Sequence, residues 1–454
     1  MKVAAVLLAA GQGIRMHSAT PKVLHALCGK PMLWHALRAV KEVCTEKPVI
    51  VIGHGAQPVK AFFGEEAAFA LQEPQLGTAH AALQAEALLK GKSDYVVVTY
   101  ADMPLLRGET FQQLVDRQRS NPGPVTMLTV MADDPRGFGR VLRAADGTVE
   151  AIIEEFVATP EQLQIRELNV GAYCFEAGWL WEALRQIQQN PKKGEYYLTD
   201  VVEIARRGKK AVQAVVHADL VETIGINNRV HLAEAEAAMR QRINRAHMLR
   251  GVSLADPAST YIEPEVTIGE DTLVQPNTHI LGSTAIGRGS LIGPNTIVID
   301  STIGDGCTVL ASVMQGAVLE DNVKIGPFAR LRRGAHLAKH VHMGNFGEVK
   351  DSYLGPGVKV GHFSYIGNAT IGENTNIGAG TITCNYDGEK KSPTEIGADV
   401  FIGSDTMLVA PVKVGDGART GAGAVVTRDV PPDTLAVGMP ARGIRKLTRK
   451  RKQD

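Results

Sequence analysis

No pair of cysteines in this chain is spaced to grip a metal. The five thiols, Cys28, Cys44, Cys174, Cys307 and Cys384, form no C-x-x-C pair and no zinc-type spacing. An odd, scattered set argues against a disulfide framework and predicts reduced thiols in a cytoplasmic setting, most of them packed. Charge of one sign is also missing. The formal net charge is +1, which leaves no electrostatic footprint for nucleic acid. No apolar run approaches the length of a membrane span, and Lys2 precedes only a short apolar stretch that enters a glycine loop. Neither a membrane segment nor a secretory signal is therefore expected. Two nucleotide signatures are absent too: the first glycine loop lacks both the G-K-[ST] ending of a Walker loop and a full G-x-G-x-x-G fingerprint. What remains is 454 residues with ordinary hydrophobic (44%) and charged (21%) content, enough for two or three domains.

The second half carries a period. Ile262, Ile268, Val274, Ile280, Ile286, Ile292 and Val298 recur every six residues, and the phase continues, with five-residue steps, through Ile303, Val309, Ile325, Leu331, Val360, Ile366, Ile377, Ile402 and Val426. An amphipathic helix repeats at three and four and a strand at two, so neither fits. Hexapeptides of this kind build a parallel β-helix, each one a short strand plus a corner, with roughly eighteen residues per coil and about ten coils. The glycines that follow many repeat aliphatics, Gly269, Gly378 and Gly403 among them, are expected to turn the corners. Before the repeat, residues 229–250 are rich in alanine, glutamate and arginine, which predicts a linker helix ended by Gly251.

The first half alternates apolar strands with helical stretches. Residues 3–10 form a continuous apolar run, and further strands are expected at Val49–Ile52, Tyr95–Thr99 and Val125–Val130, with helices at Met32–Val43 and Ala79–Leu89. That alternation indicates a doubly wound, mostly parallel α/β sheet, which takes ligands beyond the carboxyl ends of its strands. Gly11 and Gly13 sit at that end of the first strand, and Arg15 and Lys22 follow closely. Backbone N–H groups with a guanidinium and an ammonium suit a triphosphate. Asp102 stands at the end of another strand, placed to hold Mg²⁺, which needs only one or two protein oxygens.

These residues reach a family. L-A-A-G-x-G-x-R-M with a downstream Pro-Lys, Gln72, Leu76-Gly77-Thr78-Ala79 and Tyr100-Ala101-Asp102-Met103-Pro104 resemble a sugar-1-phosphate nucleotidylyltransferase. Gly137-Phe138-Gly139-Arg140, Ile153-Glu154, Asn169-Val170-Gly171, Glu195 to Asp200, Ile226-Asn227-Asn228-Arg229 and the hexapeptides narrow this. The chain resembles the bacterial bifunctional N-acetylglucosamine-1-phosphate uridylyltransferases/glucosamine-1-phosphate acetyltransferases along almost its whole length. The resemblance implies a Rossmann-like uridylyltransferase domain over 1–228, the linker helix over 229–250, and a left-handed β-helix acetyltransferase domain over 251–454 with a basic tail. It also implies a cytoplasmic homotrimer whose acetyltransferase sites lie at subunit seams. The substrates it implies are UTP, N-acetylglucosamine 1-phosphate, glucosamine 1-phosphate and acetyl-CoA.

Residue by residue, the resemblance implies that Leu8, Ala9, Ala10, Gly11, Gln72, Gly77, Thr78, Tyr100 and Ala101 hold the nucleotide, with Arg15 and Lys22 facing the phosphates. Asp102 and Asn227 would hold Mg²⁺; Gly139, Glu154 and Asn169 would contact the sugar. In the second half His362 would be the base that frees the glucosamine amine, a role an imidazole with a pKa of about 6.5 can fill. Arg332 and Lys350 would bind the sugar phosphate, and Tyr365, Asn376 and Lys391 would orient the sugar. Acetyl-CoA would run along Ala379, Ser404 and Ala422, with Asn385 and Tyr386 closing the pocket. Three departures stand out: Ile14 where the family has threonine, Arg333 where it has proline, and an ending, Val430 to Arg442, like that of other hexapeptide acyltransferases. There Met439 replaces a basic contact to CoA, leaving Arg442 or the run from Arg445 to Lys452 to supply the charge. The same motifs also admit a nucleotidylyltransferase for another hexose phosphate or nucleotide. A non-catalytic subunit built like those of translation-factor exchange complexes would have no need of the charged residues kept here.

Overall fold

The computed structural model describes residues 1–446, which divide into two compact units, one over Met1–Met239 and one from Arg240 onward. The basic run beyond Lys446 lies outside the described residues.

The first unit is built on a nine-stranded sheet. Its strands are Val3–Leu8 (β1), Val49–Ile52 (β2), Ala68–Leu71 (β3), Tyr95–Tyr100 (β4), Val125–Met131 (β5), Arg140–Arg143 (β6), Val149–Ile153 (β7), Glu167–Glu176 (β8) and Val212–His217 (β9). The order is β9-β5-β8-β4-β1-β2-β3, with the β6–β7 hairpin branching from β8. β8 alone in that row runs antiparallel to both neighbours, β4 and β5. β1 is buried along its whole length, as a strand covered on both faces must be. The pairing of Leu8 with Tyr100 brings the ends of β1 and β4 level, so the loops that follow them open side by side. Helix Met32–Lys41 (α1) matches the expected stretch closely. The helix expected over Ala79–Leu89 is instead two, Thr78–Leu83 (α2) and Glu86–Leu89 (α3). Gly108–Ser120 (α4) follows the β4 loop. Arg229–Met248 (α5) is one continuous helix, and the boundary between the units falls inside it.

The second unit is a left-handed β-helix of three sheets with 12, 10 and 9 strands among the described residues, parallel throughout except for the last strand of the first. Ile262 pairs with Ile280, Ile268 with Ile286 and Val274 with Ile292, one eighteen-residue coil apart on each of the three faces. The repeat aliphatics form one continuous buried core. Met314 and Leu319 hold the inward positions between Val309 and Ile325, which the aliphatic pattern had left blank, and both are buried.

The glycine expectation holds in part: Gly293 and Gly326, after Ile292 and Ile325, have positive φ, whereas Gly269, Gly378 and Gly403 do not, and several corners are turned by Asn277, Asn295, Asn374, Asp399 and Asp405, all at positive φ. Asparagine and aspartate tolerate that region best among side-chain-bearing residues. Gly378 is needed for a different reason: a Cβ there would stand 2.5 Å from the backbone nitrogen of Ser404 on the next coil. Close stacking of coils, not turning, excludes a side chain.

Candidate active sites

The first site is a cavity of about 1290 Å³ at the carboxyl ends of β1 and β4. Leu8, Ala9, Ala10, Gly11, Arg15, Lys22, Gln72, Gly77, Thr78, Tyr100, Asp102 and Asn227 all line it, as does Ile14. Ala101 does not: its side chain is buried beneath, and its N–H donates to Leu8 O at 3.1 Å. Gln72 is 4% exposed. Its amide nitrogen is held by Gly77 O at 2.9 Å and His80 Nδ1 at 3.1 Å, which leaves its carbonyl oxygen as the free acceptor. Gln75, not foreseen from the sequence, props the loop by donating to Ala10 O at 2.6 Å.

Charge is concentrated on one side of the cavity. Lys22 Nζ lies 2.5 Å from Asp102 Oδ2 and 3.2 Å from Asn227 Oδ1, and Arg15 donates to the same Asn227 oxygen at 2.9 Å. Two hard oxygens thus converge on one cationic point, an arrangement that suits Mg²⁺ shared with phosphate. Among the described residues no group of three or more His, Cys, Asp or Glu is arranged to hold a metal ion.

Gly139, Glu154 and Asn169 do not line the cavity; they form a group next to it. Asn169 N–H donates to Gly139 O at 2.8 Å, and the Asn169 amide donates to the Tyr173 hydroxyl at 2.7 Å. Glu154 Oε1 accepts the Thr199 hydroxyl at 3.0 Å. Burial raises the Glu154 carboxyl above its usual range, partly offset by that hydrogen bond. Tyr100 links the two groups. Burial, with a smaller push from Glu154, drives its phenol well above the ordinary value, and Thr78 is its hydrogen-bond partner. It therefore stays a neutral hydroxyl.

The second set of residues lies on the β-helix. A single corner row carries Asn345, His362, Ala379, Ser404 and Ala422. The carbonyl of each member accepts from the residue after the next one: Asn345 from Phe363 N at 3.1 Å, His362 from Gly380 N at 3.4 Å, Ala379 from Asp405 N at 2.6 Å, and Ser404 from Gly423 N at 2.8 Å. His362 Nδ1 is hydrogen-bonded to Asn345 Oδ1. Asn345 is the residue that sequence reasoning passed over; its spacing of one coil from His362 was the available signal. Beside the row, Phe328, Phe346 and Phe363 stack with centroids 5.4 and 5.0 Å apart. All three are exposed and at positive φ.

Arg332, Lys350 and Lys391 come together. The Lys350 ammonium lowers the pKa of Lys391, and the Arg332 charge acts in the same direction. Arg332 is paired with Glu348 at 2.9 Å, and Arg333 is exposed. Tyr365 shares the sheet of Lys350, whereas Asn376 lies on the sheet that holds Lys359 and Phe401. Asn376 and Tyr365 are therefore on different faces of the prism. Asn385 is buried and donates to Asn368 Oδ1 at 2.6 Å; Tyr386 is exposed, its hydroxyl donating to Gly388 O at 2.5 Å. Arg442 lies on a final antiparallel strand, Arg442–Lys446, paired with Thr434–Val437. All five cysteines are thiols, and burial pushes the Cys44 thiol up to about 12. Among the described residues no helix is long and apolar enough to cross a membrane.

Residues 5–194 match the MobA-like NTP transferase domain family, and residues 265–300 and 393–428 match the bacterial transferase hexapeptide repeats. Relatives called bifunctional protein GlmU match nearly end to end. That of Streptococcus equi subsp. zooepidemicus is 44% identical over 96% of this chain and 95% of its own. The Geobacillus protein is 46% identical over 95% and 94%, and the Syntrophomonas wolfei protein 45% identical over 96% and 97%.

Proposed function

The chain belongs to the bifunctional GlmU family, and from that premise we propose how its residues divide the work of making UDP-N-acetylglucosamine. The enzyme acetylates glucosamine 1-phosphate with acetyl-CoA, then couples N-acetylglucosamine 1-phosphate to UTP with release of pyrophosphate. The observation that carries the assignment of residues is the convergence of Lys22, Arg15, Asp102 and Asn227 in one cavity.

In the first site, uridylyl transfer is in-line attack by the sugar phosphate oxygen on the α-phosphorus of UTP, so positioning and charge neutralisation do most of it. Gly11 and its neighbours bind through backbone N–H groups, and the free carbonyl of Gln72 accepts from the uracil imide. Arg15 and Lys22 neutralise the phosphates. Mg²⁺, held by Asp102 and Asn227, supplies further charge neutralisation. Lys22 gives up its contact with Asp102 to a phosphate oxygen. Glu154 and Asn169 orient the sugar, and Tyr100 donates as a neutral hydroxyl.

In the second site, Nδ1 of His362 bears the proton because the Asn345 oxygen can only accept. Nε2 is then the base. It takes a proton from the glucosamine nitrogen, which attacks the thioester carbonyl; the C–S bond breaks and the CoA thiolate leaves to be protonated. Arg332 and Lys350 bind the phosphate, and Tyr365, Asn376 and Lys391 the sugar. Ala379, Ser404 and Ala422 leave room for the pantetheine arm along the row that His362 begins, Asn385 and Tyr386 close it, and Arg442 stands toward the CoA phosphates. A homotrimer brings faces of different copies together, which the separation of Asn376 from Tyr365 and the exposed phenylalanine stack both favour. The enzyme works in the cytoplasm.

The test is to supply purified protein with glucosamine 1-phosphate, acetyl-CoA, UTP and Mg²⁺ and to follow free thiol and pyrophosphate separately. Both should appear, thiol first. Pyrophosphate without thiol would leave only the first half of the assignment standing.

A further inference from the structure

Glu222 is a buried carboxylate that the chemistry above leaves unused. Its side chain is 4% exposed, and Oε1 receives Arg107 Nε at 2.9 Å. Oε2 receives the Thr110 hydroxyl at 2.7 Å and the Arg107 backbone N–H at 3.2 Å, with His217 Nε2 3.6 Å away. Arg107 also reaches Asp219 Oδ2 at 3.2 Å. Desolvating a carboxylate is costly unless it is paired and hydrogen-bonded, so this one is committed to its place.

Its place ties together the two segments that carry the cation ligands. Arg107 closes the segment that leaves β4 with Asp102; Glu222 stands in the segment that ends in Asn227. These segments also touch beside the ligands themselves. Ile226 N–H donates to Asp102 O at 2.9 Å, and Gly225 packs so near Met103 that a Cβ there would come within 3.0 Å of its sulfur. One end of the pair is held by backbone, the other by the Glu222 carboxylate on Arg107 and Thr110.

We propose that Glu222 is a positioning residue for the divalent-cation site, fixing the Asn227 segment against the Asp102 segment so that both ligand oxygens face one point before the cation arrives. The proposal rests on the reading of Asp102 and Asn227 as cation ligands. Outer partners of metal ligands typically control affinity by orientation.

The experiment measures Mn²⁺ binding by electron paramagnetic resonance in the presence of UTP, on the full-length protein and on Glu222→Ala, Glu222→Gln, Thr110→Val and Asp102→Ala. Glu222→Ala weakens Mn²⁺ binding about tenfold, Glu222→Gln and Thr110→Val less. Adding Thr110→Val to Glu222→Ala costs nothing further, because both remove one contact. Pyrophosphate release by Glu222→Ala returns toward the parent rate at high Mg²⁺, and thiol release from acetyl-CoA is unchanged. Should Glu222→Ala fail to fold, the near-isosteric Glu222→Gln and Thr110→Val carry the test. Folded Glu222 variants that bind Mn²⁺ like the parent overturn the proposal. If Asp102→Ala also binds Mn²⁺ normally, the cation reading itself falls; if Asp102→Ala loses Mn²⁺ while the Glu222 variants do not, only the positioning role falls.

Discussion

Asn345 and His362 meet across one turn of the β-helix, the amide oxygen against Nδ1 of the imidazole. The contact fixes the tautomer and leaves Nε2 free on an exposed corner. A general base is worth about 10²–10⁴ in rate, and an orienting partner a part of that. Asn345→Ala should therefore slow thiol release less than His362→Ala does. Asn345→Asp should behave differently. A carboxylate there stabilises the imidazolium, so the acidic limb of kcat/KM for acetyl transfer moves to higher pH. A pH–rate profile that stays put would refute the role given to Asn345.

Arg332 and Lys350 keep partners in Glu348 and Asp351, yet the Lys350 ammonium still lowers the pKa of Lys391. Lys350→Ala should raise KM for glucosamine 1-phosphate at least about tenfold and leave KM for acetyl-CoA alone. Steady-state kinetics with each substrate varied in turn separates the two.

Asp200 gives a pH-dependent stability. Burial first, then Glu203 and Glu154, raises its carboxyl from 3.8 to about 6. The native state thus favours the protonated form, and the stability this gives below pH 3.8 is lost as the pH rises through about 6. Asp200→Asn should match the parent at low pH and exceed it above about 6. The full shift corresponds to at most about 3 kcal/mol, and partial exposure reduces that to about 1 kcal/mol. Thermal unfolding of the first unit across pH reads the difference.

Gly378 and Gly361 follow repeat aliphatics alike but differ in what surrounds them. Gly378→Ala drives a Cβ to 2.5 Å from Ser404 N, while Gly361→Ala meets nothing within 4 Å. The first should destabilise the β-helix by about 1–3 kcal/mol, and the second by little. Equal melting temperatures would show that the coils give way more easily than close packing implies.

These contrasts also mark what a sequence can express. The β-helix was legible because one coil is three hexapeptides, so contacts eighteen residues apart print a local period. Gly11 and Asp102 were legible because each stands just after an apolar strand, and β1 and β4 are neighbours. Asn345 was harder: its partner lies one coil away, and only the coil length connects them. Met314 and Leu319 escaped because the chain takes two five-residue steps in succession there, off the six-residue phase. Glu222 could not be read at all, since Arg107 and Thr110 are 115 and 112 residues distant and no short motif encodes the pairing. The function of some repeat glycines, Gly378 among them, was misassigned for a related reason. Local reasoning sees the glycine and its turn, not the backbone of the next coil.

The most direct test of the two-site account is a crossover between Asp102→Ala and His362→Ala, each supplied with the substrates of both reactions. Asp102→Ala should release thiol from acetyl-CoA normally and produce no pyrophosphate, even from supplied N-acetylglucosamine 1-phosphate. His362→Ala should do the reverse. Loss of both activities in either folded variant, or retention of pyrophosphate release by Asp102→Ala, would contradict the account.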